Sequence, residues 1–493
     1  MKHDALPRTL GQLKESGYRP RSVKEELRDN VKERLSSGRP LFEGIIGYDR
    51  TVIPQIENAL LSRHNFILLG LRGQAKSRLI RQLHGLLDDY VPVIPGSLLN
   101  EDPLAPISPM GLRVVAEKGD DLPIEWLPSR ERFHEKLATP DVSIADLIGD
   151  IDPIKAAREK LDISNEEVIH WGIIPRTNRG IFAINELPDL QPRIQVGLLN
   201  ILEENDIQVR GFPLRVPLDM LLVFTANPED YTNRGTIITP LKDRIDSQVI
   251  THYPRSLAEA KRITGQEAIT QDSVTDVPEL IKDIIEEVSF QARKSEYVDQ
   301  SSGVSARVSI SAYETLLANI QRRVLRTGDE DRYPRMCDLY AIVPAISGKI
   351  ELVYEGEQEG AALVVRGLIG EAINSVFLSY FPKPSRGKVN PDRPEPENPY
   401  EAVVDFFRSG RRLEISDEMT FAEYQRTLRS ISRLDRIVRE YVPVDDDREL
   451  LLWMEFILEG LHHNNMIARE SDDASVEYGD AFSDMLRGME GGG

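Results

Sequence analysis

The sequence predicts an α/β fold in which a parallel sheet is covered by helices on both faces, with further helical units after it. Three observations predict it. Short, wholly apolar runs alternate with segments of helical period, as buried parallel strands and their crossover helices do. A glycine-bearing loop pattern directly follows the first of these runs. The 493 residues allow roughly three domains at about 150 residues each.

Taken in order, the first element is a helix near Val23–Leu35, within a charged segment of residues 1–40. Asn65–Leu69 is the first candidate strand, and Arg78–Leu87 is the helix that follows it. Residues 101–140 carry six prolines, many charges and little periodicity, and read as an insertion. Gly180–Ile184 and Asp219–Thr225 are the second and third strands. Between them, Leu190, Ile194, Leu198, Leu199 and Leu202 give a helix over Leu187–Glu204. Ile207–Val209 and Leu214–Val216 flank Arg210-Gly-Phe-Pro213 and read as a β-hairpin. Beyond Pro254 the pattern turns helical, with Leu280–Ala292, Ser311–Arg326 and Leu339–Val353 as the clearest cases. Residues 382–399 hold six prolines, the composition of a linker. A small helical unit follows. Thr420 and Glu423 form a capping box at its start, and Glu449–Leu461 is an amphipathic helix. From Glu470 onward there are seven acidic residues and one basic, which predicts a disordered tail.

Composition excludes several classes. Lys plus Arg is 61 and Asp plus Glu is 81, so the net charge of −20 argues against a protein built mainly to grip nucleic acid. The single cysteine, Cys337, excludes an intramolecular disulfide and cysteine-based metal centres. No unbroken apolar run approaches 18 residues, and MKHDALPRTL lacks the apolar core of a signal peptide. A cytoplasmic protein without a membrane span is therefore expected.

The strongest chemical signal is Gly70-Leu-Arg72-Gly73-Gln74-Ala75-Lys76-Ser77, set between a strand and a helix. A P-loop requires that context. Its backbone amides wrap a phosphate, its lysine reaches the β- and γ-phosphates, and its hydroxyl binds Mg²⁺. Ala75 stands where the pattern has glycine. If that position needs a positive φ, alanine costs about 1 kcal/mol; in helical space the cost is small. The second strand ends in Asn185-Glu186, where an Asp-Glu pair would supply a Mg²⁺ partner and a water-activating carboxylate. Asn185 brings no charge, which predicts weaker Mg²⁺ binding and slow hydrolysis. The third strand ends Thr225-Ala-Asn227-Pro-Glu, placing Asn227 to orient a water. A simple helix start at Asn185 and an Asn-Pro turn at Asn227 are the plain alternatives.

With these pieces in order, residues 40–350 resemble the AAA+ ATPases of the magnesium-chelatase I-subunit and MoxR group. Glu43-Gly-Ile-Ile-Gly47-Tyr-Asp is similar to the segment that opens such modules near the adenine. Ala138-Thr-Pro-Asp141, Ile148-Gly-Asp-Ile-Asp152 and Gly172–Gly180 resemble stretches that precede Walker B. Thr225–Glu229 resembles sensor 1, and Ser305-Ala-Arg307 resembles sensor 2. Leu241-Lys-Asp-Arg244-Ile-Asp246 resembles the segment whose arginine acts on the neighbouring subunit's nucleotide. A surface ion pair is the plain alternative for Arg244, and an ordinary helix start for Arg307.

The resemblance implies an αβα nucleotide-binding domain at 41–255, a helical lid at 256–381, a linker at 382–400 and an accessory helical domain at 401–469, followed by the tail at 470–493. It implies ATP and Mg²⁺ as cofactors, with Ser77 and Asn185 at the metal and Glu186, Asn227, Arg244 and Arg307 as catalytic groups. It also implies a homo-oligomer, expected to be a hexameric ring, that remodels a partner carrying a von Willebrand A domain. A nucleotide-gated scaffold with little or no hydrolysis is the alternative that Asn185 motivates. A DNA-acting relative is disfavoured by the charge.

Overall fold

The structure is a computed structural model, and it describes residues 6–159, 168–209, 215–228, 236–270, 277–385, 398–471 and 475–481. The chain divides into two compact units, residues 1–252 and 253–493.

The first unit is built on five parallel strands: β1 (Phe66–Leu69), β2 (Phe133–Leu137), β3 (Gly180–Asn185), β4 (Met220–Ala226) and β5 (Ser247–Ile250). Their order across the sheet is β5-β1-β4-β3-β2. Successive side chains of a strand point to opposite faces. Accordingly Phe66 and Leu68 enter one apolar cluster, while Ile67 and Leu69 enter the other. All three candidate strands lie in this sheet, each within one residue of the span read from the sequence.

Helix α1 (Val23–Ser36) starts in a capping box of Ser22 and Glu25 and buries Val23, Leu27 and Val31 against the β1 face of the core. The 1–40 segment thus contributes to the core of the sheet domain. Helix α2 (Val52–Leu61) and helix α3 (Lys76–Gln82) complete that layer, with a 3₁₀ turn, Leu83–Leu86, extending α3.

Two expectations are corrected here. The 101–140 stretch is more than an insertion, because it supplies β2, the edge strand paired with β3 from Phe133↔Ile181 to Leu137↔Asn185. Its sequence, Phe133-His-Glu-Lys-Leu, is only partly apolar because an edge strand has one neighbour. The Leu187–Glu204 helix is broken into a 3₁₀ turn, Leu187–Asp189, and two short helices, Pro192–Gly197 (α4) and its continuation Leu199–Glu203. Pro188 and Pro192 interrupt the backbone ladder. The buried Gln195 amide bridges the break to Leu190 and to the backbone at 236 and 238. The hairpin pairs Ile207 with Val216 as expected, and its Arg210–Pro213 turn lies outside the described residues.

The amino ends of the strands are tied by buried charge. Arg132, 1 % exposed, grips Glu26 with two bonds of 2.7 and 2.6 Å and also donates to the Arg179 carbonyl. Glu26 accepts the Asp88 amide as well. Asp219, just before β4, caps the first amide of α1 at 2.8 Å.

The second unit has one continuous apolar core running from Val277 to Tyr478. It includes α5 (Glu279–Ala292), α6 (Arg307–Thr327), α7 (Ala361–Tyr380), α8 (Phe421–Arg429) and α9 (Asp447–His463). The lid and accessory domain expected as separate bodies therefore share a core. Most of the linker lies outside the described residues. The Leu339–Val353 helix is instead a 3₁₀ segment, Met336–Ile342, and a short helix, Val343–Ser347, ending at Gly348. Part of the expected disordered tail is also ordered. Ala468–Ser471 (β7) and Ser475–Gly479 (β8) form an antiparallel sheet with Leu413–Ser416 (β6), and Tyr478 is fully buried. In β8, Ser475 and Glu477 alternate with the buried Val476 and Tyr478, so composition hid a strand with one wetter face.

Helix α7 corrects the expectation of no membrane-length segment. Its best 18-residue window has a mean hydropathy of 1.6 and is long and apolar enough to cross a bilayer, although polar residues interrupt it. Half of that window is buried, and Val365, Leu368, Ile369, Ile373 and Phe377 lie in the core of this unit.

Two carboxylates lie inside this core. Glu455 accepts the Met336 and Cys337 amides and the Tyr424 hydroxyl, and burial raises its pKa to about 7. Glu459 is also pushed upward by burial. The Arg469 charge, the nearby His463 and a bond from Tyr478 outweigh that and hold it well below the usual range.

Two outcomes are expected. Glu26→Ala leaves Arg132 buried without its partner, which should cost about 3–5 kcal/mol in urea unfolding. Lys14→Ala, which breaks an exposed pair with Asp120, should cost about 1 kcal/mol or less. For Glu455, the unfolded carboxyl titrates near 4.5 and the folded one near 7. The folded chain holds the extra proton between those values, so stability falls as pH rises through that window. The stability difference between wild type and Glu455→Gln should therefore shift against wild type from pH 5 to pH 7.5, measured by circular dichroism in urea.

Candidate nucleotide site

The site is built where three parallel strands end side by side. Leu69 of β1 pairs with Ala226 of β4, and Phe224 of β4 pairs with Ile184 of β3. In open parallel sheets the crevice beyond the carboxyl ends of the strands is where ligands bind. Gly70 continues β1 by donating to the Ala226 carbonyl at 3.2 Å.

The loop from Gly70 to Ala75 has two left-handed residues, Gly73 at φ 75° and Ala75 at φ 56°, ψ 15°. The open question at Ala75 is thereby answered: alanine occupies a conformation that glycine adopts freely, at a cost of about 1 kcal/mol. Gly70 is constrained by space. A Cβ there would lie 1.9 Å from Thr251 Oγ1 and 2.1 Å from Gln74 Oε1.

The loop is fastened from below. Thr251 donates to the Gln74 side chain at 2.7 Å, and the Tyr48 hydroxyl donates to the Gln74 carbonyl at 2.9 Å and the His252 carbonyl at 2.8 Å. The Tyr48 and His252 rings meet edge to face at 5.0 Å, and Thr51 bonds the His252 ring at 2.8 Å. The segment Glu43–Asp49 is therefore joined to the loop through Tyr48. Sequence reasoning missed Thr251 and His252, whose only signal was their place immediately after β5.

Lys76 is buried, at 8 % exposure, and its ammonium donates to the carbonyls of Gly70 and Leu71. It thus lies inside the curl of the loop. Ser77 is exposed one residue further along α3, and Arg72 and Gly73 are exposed at the loop's crest.

Asn185 is the last residue of β3, and its Oδ1 accepts the Thr225 hydroxyl at 3.2 Å. The same Thr225 oxygen accepts the Glu186 amide at 3.1 Å. Glu186 turns left-handed, at φ 55° and ψ 50°, which throws the chain sharply off the sheet. Asn227 follows β4 directly. Thr225 was quoted in the sequence pattern without a role, and it is the group that couples Asn185 to Glu186.

Gly70–Ser77, Asn185, Glu186 and Asn227 thus share one edge of the sheet. Arg244 stands apart from them, and Arg307 belongs to the second unit. Arg244 ends the helix Thr239–Arg244 and donates to Glu203 at 2.8 Å and to the Pro240 carbonyl at 3.0 Å. Asp246 does not pair with it and instead accepts the Asn65 amide. Arg307 is the first residue of α6 in the second unit. Glu229 lies outside the described residues.

A glycine loop with a buried lysine after the first of five parallel strands completes the pattern. The fold is an α/β parallel-sheet domain with a glycine loop of P-loop pattern after its first strand. No protein-family profile matches the chain. Solved structures similar to it include a candidate ATPase from Cytophaga hutchinsonii, at 16 % identity over 73 % of this chain and 97 % of that one, with a TM-score of 0.30. NtrX from Brucella abortus in complex with ATP is 15 % identical over 71 % of this chain and 66 % of that one, at 0.40. A chain of the BchI–BchD complex of magnesium chelatase is 18 % identical over 65 % and 99 %, at 0.32. The strand order and the loop geometry, rather than these distant similarities, identify the fold.

Among the described residues no three His, Cys, Asp or Glu side chains gather as a metal site.

Replacing Ala75 with glycine should relieve the left-handed alanine and stabilise the first unit by about 1 kcal/mol, read as a higher urea midpoint. A lower midpoint would mean that Ala75 is not strained.

Proposed function

We propose that the chain is an AAA+ ATPase of the magnesium-chelatase I-subunit and MoxR type, which hydrolyses ATP in a ring of identical subunits to remodel or activate a partner protein. The observation that carries this reading is the common edge shared by Lys76, Ser77, Asn185, Glu186 and Asn227. In this reading the Lys76 ammonium exchanges the carbonyls of Gly70 and Leu71 for β- and γ-phosphate oxygens. Ser77 and Asn185 hold Mg²⁺, which neutralises phosphate charge when bound. Glu186 accepts a proton from the attacking water and Asn227 orients that water. Arg244 leaves Glu203 to reach the nucleotide of the neighbouring subunit, and Arg307 contributes from the lid. A hexamer and a von Willebrand A partner follow from the resemblance alone, and a cytoplasmic location from the sequence composition.

One observation favours a second reading, a nucleotide-gated scaffold with little hydrolysis. Asn185 carries no charge, and its Oδ1 already takes the Thr225 hydroxyl.

Phosphate release measured across a magnesium titration separates the two. Wild type should turn over, Lys76→Ala should not bind nucleotide, and Glu186→Gln should bind ATP but release phosphate about 100-fold more slowly. Release by wild type no faster than by Lys76→Ala would leave the scaffold reading standing.

A further inference from the structure

The carboxyl end of β3 carries a polar contact that competes with the role proposed for Asn185. Asn185 closes β3, and Thr225 is the last residue but one of β4. Side chains alternate across a sheet. Ile181 and Ala183 of β3, like Leu221 and Val223 of β4, enter the apolar cluster that also holds Leu79 and Ile80 of α3. Asn185 and Thr225 keep the same parity, so both lie on the face of the sheet that α3 covers. The first turn of that helix carries Lys76 and the exposed Ser77.

A hydroxyl has one proton to give and two lone pairs to fill. The Glu186 amide, which can only donate, takes one lone pair of Thr225 at 3.1 Å. Thr225 is 1 % exposed, so its proton needs an acceptor within the fold. Among the described residues the Asn185 side chain is that acceptor, at 3.2 Å. The proton thus settles which end of the amide faces Thr225: it is Oδ1. Oδ1 is also the one side-chain atom of Asn185 that suits Mg²⁺, a cation that takes oxygen ligands. A hydroxyl proton and a divalent cation at one neutral oxygen draw on the same electron density and repel each other. An aspartate would have a second oxygen for the metal, and an asparagine has none.

We infer that Thr225 is a positioning residue that latches Asn185 away from the metal, so that the site needs more magnesium to hold ATP than it would without the hydroxyl. The inference rests on the nucleotide reading, and the experiment separates the two. Equilibrium binding of a fluorescent ATP analogue to the full-length chain is followed across a magnesium titration, with Lys76→Ala alongside. Binding no tighter in wild type than in Lys76→Ala would overturn the nucleotide reading, and the latch with it. Where wild type binds, Thr225→Val should lower the half-maximal magnesium about three- to tenfold, the size of one hydrogen bond. Thr225→Ser keeps the hydroxyl and should match wild type. In an Asn185→Ala background Thr225→Val should change nothing, because the effect runs through Asn185. Thr225→Ala leaves room for a water at the Glu186 amide, and it carries the test if circular dichroism shows Thr225→Val unfolded. Three results would overturn the latch while leaving nucleotide binding intact: an unchanged or higher magnesium requirement without the hydroxyl, a serine variant that shifts as far, or a fall that persists in Asn185→Ala.

Discussion

The parallel pairing of β1 with β4, and of β4 with β3, is the constraint on which the first unit depends. It sets Leu69 beside Ala226 and Phe224 beside Ile184. Three chain segments, ending at Leu69, Asn185 and Ala226, therefore emerge from the sheet at one edge. Asn185, Glu186 and Asn227 lie within a residue of a strand end there, and the loop that leads to Lys76 and Ser77 starts from the same edge. The opposite edge is held by the ion pair of Arg132 and Glu26 and by the Asp219 cap on α1. One end of the sheet is thus fixed by bonds buried in the fold, and the other carries the loops of the candidate site, although a left-handed residue, Arg179, also precedes β3 at the fixed end. Both Ala75 and Glu186, non-glycine residues in left-handed conformations, lie at the loop end. Strained residues of this kind persist only where the surroundings over-determine them, and they gather where a site must be pre-shaped.

Much of this was legible in the sequence, for physical reasons that can be named. Strands buried on both faces must be apolar throughout, so Phe66–Leu69, Gly180–Asn185 and Met220–Ala226 declared themselves. The loop pattern marked the site because only glycine tolerates the crowding at residue 70. What stayed hidden follows from the same logic. Phe133–Leu137 is an edge strand with polar positions, and no two-faced burial forces it to be apolar. The tail strand Ser475–Gly479 has one wet face and was masked by its own charge. Leu190–Leu202 has helical spacing, but the prolines at 188 and 192 overrule it, and the buried Gln195 amide bonds the backbone at the break. Cross-strand partners such as Thr251 and Thr225 have no local signature, since their meaning lies in which strands are neighbours.

The second unit was read as two bodies joined by a proline-rich segment, and it has one core. Composition across 382–399 marked a proline-rich segment, most of which lies outside the described residues. It could not say that Tyr400, Val403 and Phe407 return to the same apolar cluster as Phe377 and Phe381. The buried pair Glu455 and Glu459 lies in that shared core. Each is surrounded by donors from other elements, the 3₁₀ turn at Met336 for one and β7 and β8 for the other. Polar contacts of this kind specify which elements meet, because a wrong partner would leave a buried carboxylate unmet.

The strand order also bears on how the chain comes into being. β1 ends at residue 69, yet its two neighbours in the sheet begin at residues 220 and 247. On a ribosome adding about 5–20 residues per second, those 150-odd residues take roughly ten to thirty seconds to appear. Throughout that interval a strand reading Phe-Ile-Leu-Leu has neither of its native partners. Biogenesis, rather than the finished fold, is then when this chain most needs protection from sticking to its neighbours.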